Sequence, residues 1–176
     1  MNPKSKTLLA MMMLLPLPSV IADEGQAARI AHAASAAPSY ISDEATIMES
    51  DGTILREGSN GWTCLPDTMP GDNNPLCNDA TWMAMLQAVG TQADFKADRI
   101  GISYMLQGDE GAGVSNSDPY HADPKAAHDY TETGPHLMIV VPKELLEGIT
   151  DDPSQGGPYV MWKDTPYAHI MVPISE

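Results

Sequence analysis

One stretch of this chain carries a clear helical period, and almost everything after it is a series of short β-prone runs cut by turn formers. Between Asn78 and Gly90, the apolar residues Trp82, Met85, Leu86 and Val89 recur at i, i+3, i+4 and i+7, so one face is buried. Asn78-Asp79 supplies the cap and Gly90 the stop, which places a helix at about 79–89. Elsewhere the runs are short. Ala45–Glu49 and Thr53–Arg56 flank Asp51-Gly52, a pair that favours a type I′ hairpin. Gly61–Cys64, Ile100–Leu106, His136–Val141, Tyr159–Trp162 and Ala168–Val172 read as further strands. Pro142–Leu146 starts a short helix with Pro at its first position, and Asp151–Pro158 is a Gly/Pro-rich turn. Many short strands with one good helix make an α+β domain, a mainly antiparallel sheet or a small barrel.

The chain begins with the order of a secretory signal. Lys4 and Lys6 precede an apolar run from Leu8, which Pro16 and Pro18 interrupt and which ends at Ser19-Val20-Ile21-Ala22. The run is too short and too broken to span a bilayer, so cleavage after Ala22 is expected. Residues 23–44 then form an Ala-rich leader, a short helix or a mobile segment, and 45–176 form one globular domain. The formal charge of -15 becomes -17 once Lys4 and Lys6 are removed, leaving seven basic groups against 24 acidic ones. Nucleic-acid binding and electrostatic docking on anionic lipid are disfavoured, because both need a basic surface. No later stretch is apolar enough for a transmembrane segment. The product is expected in the periplasm or the medium.

Export agrees with the cysteines. Cys64 and Cys77 are the two in the chain, and twelve residues, nearly all turn formers, separate them. In an oxidising compartment such a pair is most simply a disulfide, worth about 3 kcal/mol for a loop of this size. A thiolate metal site or a redox pair is the alternative.

Two segments resemble each other. Pro135-His136-Leu137-Met138-Ile139-Val140 and Ala168-His169-Ile170-Met171-Val172-Pro173 each place His-x-Met on an expected strand. Residues two apart on a strand share a face, so each segment projects an imidazole and a thioether together. If the strands are neighbours, His136, Met138, His169 and Met171 can converge on a soft ion, copper as Cu(I), with Met105 and Met161 extending the set. The bland alternative is methionine filling core gaps and two buried histidines bonded to backbone.

Residues 108–135 show little apolar periodicity, and stretches of that length are usually functional or disordered. His121, Asp123 and His128 lie there, with Asp118, Tyr120 and Asp129 beside them. With His136 they offer a hydrolase or lyase an acid and a base, or a borderline cation a ligand set. A solvated loop of Asp-Pro and Ser-Asp turns explains them equally. The chain has no Gly-x-Ser-x-Gly elbow, no Walker A or dinucleotide glycine fingerprint, and no His-Glu-x-x-His helix. Trp62, Trp82 and Trp162 can line a carbohydrate platform, although burial explains them more simply.

The runs Asn60–Asp67, Gly157–Trp162 and Pro166–Pro173 resemble segments of bacterial exported proteins of unknown function. The resemblance implies a single exported domain and carries over no activity. The leading expectation is an exported binder of a small ligand or of copper. A hydrolase or lyase at the loop, and a non-catalytic envelope or surface partner, are the alternatives.

Overall fold

The computed structural model describes residues 20–174, with side chains from Glu24 onward. The expected export leader of residues 1–22 therefore lies outside the described residues, save for backbone at Val20–Ala22 in the first turn of a helix. That helix, α1, spans Val20–Ala34, and a single turn, α2 (Ser39–Ser42), follows it. Strands β1 (Thr46–Met48), β2 (Ile54–Arg56), β3 (Thr63–Leu65) and β4 (Leu76–Asn78) precede helix α3 (Ala80–Thr91). Strand β5 (Gly101–Met105), the short strands β6 (Val114–Ser115) and β7 (Tyr130–Thr131), and β8 (His136–Val140), β9 (Tyr159–Met161) and β10 (His169–Pro173) complete the chain.

Eight strands form one sheet in the order β2-β1-β3-β4-β5-β8-β10-β9. Among the described residues, β1 and β3 run parallel and the other paired strands are antiparallel. The sheet is α+β in character and open, with β2 and β9 at its edges, so the barrel alternative does not hold. Closure would need β2 to meet β9, yet each has a single neighbour.

The strand period of two sorts the side chains onto two faces. Ala33, Ala36 and Ala37, from the end of α1 and the turn after it, pack with Ile41, Ile47, Cys64 and Cys77 on one face. Small residues let the helix lie close to the sheet there. Cys64 and Cys77 stand directly opposite on β3 and β4 and are joined as the expected disulfide. Arg29 of α1 binds Glu49 and reaches Asp67 Oδ2 at 2.7 Å. This guanidinium holds the Asp67 carboxyl below the usual carboxylate range and ties the helix to the disulfide loop. The other face carries the main core of Leu76, Met105, Met138, Val140, Tyr159, Met161 and Met171, under Trp82, Met85 and Ala88 of α3. The two helices thus cover opposite faces.

Three local expectations are corrected. The β1–β2 connection is not a type I′ turn, since that type requires positive φ at both central residues and only Gly52 has it (+89°). Gly52 N–H donates to Glu49 O and Glu49 N–H to Thr53 O, the pattern of a three-residue loop with a left-handed glycine at its end. Helix α3 runs through Gly90 and stops at Gln92, which takes the left-handed conformation (φ +55°). Residues 108–135 are not structureless: β6 pairs with β7, and Asp129 accepts hydrogen bonds from Ser115 Oγ and Ser117 N–H.

Asp79 has a double role. One carboxylate oxygen caps α3 by accepting from Trp82 N–H (2.8 Å), and the other accepts from Ile102 N–H of β5 (2.8 Å). Asp79→Ala leaves both donors without that partner and should lower stability by about 2 kcal/mol. Asp79→Asn, which keeps one acceptor, should lose less. Urea denaturation of the two variants checks this order.

Candidate metal-binding cavity

A cavity of about 80 Å³ lies between α3 and the sheet. Five methionines line it, Met85 from α3 and Met105, Met138, Met161 and Met171 from four neighbouring strands, together with His136, His169, Trp82, Trp162 and Asp109. Thr68, Asp72 and Asn74 of the disulfide loop border its more exposed side. The residues between β5 and β8 help to close it, since Trp162 donates through Nε1 to Ser115 O (3.1 Å) and Thr133 Oγ1 bonds the Tyr159 hydroxyl (2.8 Å).

Strands β8 and β10 are antiparallel neighbours, with Met138 opposite Met171. His136, Met138, His169 and Met171 face the same cavity. The histidines are each 1 % exposed. His136 bonds Gly134 O through Nδ1 (2.7 Å), and His169 bonds Tyr167 O through Nδ1 (2.9 Å). A carbonyl oxygen only accepts, so each Nδ1 carries the proton and each Nε2 presents its lone pair. Both Nε2 atoms are buried without a hydrogen-bond partner. An unpaired buried acceptor costs on the order of 1–3 kcal/mol. The bland reading of histidines satisfied by backbone is therefore half true: one nitrogen of each ring is satisfied and the other is not.

The electrostatics keep the rings neutral. Burial, with a smaller contribution from charge on His136, pushes the His169 imidazole down to about 4. Burial also lowers His136. Trp82 and Trp162 meet the His169 ring edge to face, each with centroids 5.1 Å away. Asp109, hydrogen-bonded to Thr133 N–H, is pushed up to about 6 by burial.

The loop histidines lie elsewhere. His128 and Asp123 are exposed and His121 is half-buried, with its Nδ1 accepting from Asp123 N–H (3.3 Å). None of the three lines the cavity that holds His136. Among the described residues, no three His, Cys, Asp or Glu side chains come together to hold a metal ion. The donors gathered at the cavity are imidazole and thioether instead. Trp62 does not join Trp82 and Trp162 there but packs on Tyr104 across the sheet, so the three tryptophans form no common platform. Nothing in the sequence marks Asp109 or Met85 as a site residue. Met85 was legible only as helix core, and nothing in Gly108-Asp109-Glu110-Gly111 separates Asp109 from an ordinary turn.

No family model, curated protein or solved structure matches the chain.

The cavity groups make acid stability a sum of opposing terms. The His169 contribution is fully present above pH 6.5 and is lost as pH falls toward about 4, and burial of His136 acts in the same direction. Asp109 acts in the other sense: its ionisation penalty, present above about pH 6, is relieved as pH falls toward 3.8. Asp109→Asn removes the relief and keeps an acceptor for Thr133 N–H. It should therefore lose up to about 2 kcal/mol more than the parent between pH 7 and 4.5. Urea midpoints at the two pH values measure the difference.

Proposed function

We propose that this protein is an exported binder of Cu(I), a soft monovalent metal ion, taken up in the methionine-lined cavity with His136 and His169 as ligands. The observation that carries the reading is the pair of buried imidazoles, each with Nδ1 tied to a backbone carbonyl and Nε2 unpaired, in a cavity that five methionines also line. Fixing one ring nitrogen by a hydrogen bond is how a protein selects the nitrogen that ligates and holds the ring's direction. Imidazole with thioether is a soft donor set, which suits Cu(I) and not the hard ions that carboxylates take. His169, neutral down to about pH 4, need lose no proton to bind, and burial lowers His136 in the same sense, which favours binding in mildly acidic surroundings. Asp72 and Asp109 at the lining give the approach a negative potential that favours a cation.

Export rests on the signal-like order of residues 1–22 and fits the disulfide, which oxidising compartments preserve. Among the described residues, no helix is long and apolar enough to cross a membrane. A hydrolase at residues 108–136 has less support, because Asp123 and His128 are exposed and lie away from the cavity lined by His136.

The test is titration of the purified protein with Cu(I) against a competing chelator of known affinity. Binding of at least one equivalent is expected, weakened 100-fold or more by His136→Ala with His169→Ala. Less than one equivalent, or an unchanged affinity in the double variant, overturns the proposal.

A further inference from the structure

Resting on the Cu(I) reading, we infer that the cavity holds two ions and not one, in half-sites formed by His136, Met105 and Met138 and by His169, Met161 and Met171. The register of the sheet carries the inference. Across β5 and β8, His136 stands opposite Met105, and Met138 follows two residues later on the same face. Across β9 and β10, His169 stands opposite Met161, and Met171 follows two residues later on the same face. Each histidine therefore has one thioether beside it on the next strand and one along its own. Directly opposed side chains have Cβ atoms about 5 Å apart, and residues two apart on a strand are separated by about 7 Å. Methionine, with three rotatable bonds, spans such gaps to a shared ion. One imidazole and two thioethers complete a three-coordinate soft set on each side.

The same register keeps the two imidazoles off a single ion. Met138 pairs with Met171 and His136 with Pro173, so His169 falls opposite Val140, four residues along the ladder from His136. Four residues of strand are about 13 Å. Strand side chains stand roughly perpendicular to the sheet, so much of that offset persists at the rings. Two metal–nitrogen bonds of about 2 Å each cannot bridge it. The sets instead meet at the Met138–Met171 pair, with a histidine at each far end.

The half-sites differ in their walls, which lets each be read separately. His169 packs edge to face against the indoles of both Trp82 and Trp162. Asp109, another lining residue, bonds Thr133, three residues before His136.

Cu(I) titration against a competing chelator, with native mass spectrometry for stoichiometry and tryptophan emission as the local signal, tests the inference. The parent should take two equivalents, and His136→Ala and His169→Ala should each keep one. Quenching of tryptophan emission should survive in His136→Ala and disappear in His169→Ala. Met105→Leu and Met161→Leu, which conserve side-chain volume and should fold, should each weaken one equivalent at least tenfold and spare the other. A parent that takes one equivalent, lost in either histidine variant, overturns the two-ion arrangement while leaving Cu(I) binding in place. A parent that takes none overturns both.

Discussion

The pairing of β8 with β10, which sets Met138 against Met171, is the constraint on which the cavity depends. Side chains alternate along a strand, so a slip of one residue in either strand would carry its histidine and methionine to the opposite face. That face is already filled by Ile139, Ile170, Val160, Leu146 and Ala168. The apolar load on both faces thus holds the register. The strands flanking this pair, β5 and β9, inherit their alignment from it and bring Met105 and Met161 beside the two histidines.

What lies above the ladder is anchored from several directions. Asp79 bonds both the first turn of α3 and the backbone of β5, which holds Trp82 and Met85 over the methionines. Gly101 lets α3 sit this close, because a Cβ there would meet Val140 Cγ1 at 2.7 Å and Thr81 Cβ at 2.8 Å. Tyr120, in the connection between β5 and β8, donates to Val89 O near the end of α3, so the connection is held against the helix. The disulfide and the Arg29–Asp67 contact restrain the loop that supplies Asp72. The lining is therefore fixed at its base by the sheet and at its rim by local ties.

Much of this was legible along the chain. The helical period, the strands carrying His-x-Met and the cysteine pair all depend on neighbours within a few residues or on simple redox chemistry, and these elements stand where they were expected. Turn type was less legible. Asp51-Gly52 suits a type I′ turn, yet the observed loop takes one residue more because the register of β1 and β2 shifts between Ile47 and Met48. The order of residues 108–135 was illegible too, since it comes from the β6–β7 pairing and from contacts with α3, Tyr159 and Trp162, and not from any apolar period of its own.

The sequence by itself determined the donor types and their local spacing: imidazole and thioether two residues apart, on strands whose alternation must send both to one side. Strand order, pairing direction and the closing of the cavity were decided only in three dimensions. Antiparallel pairing aligned the methionines and drew the histidines to opposite ends, whereas parallel pairing in register would have set histidine beside histidine. Burial then left both Nε2 atoms unpaired and kept the rings neutral. No local pattern encodes that outcome, because the loss of solvent and of hydrogen-bond partners depends on every element that covers the site.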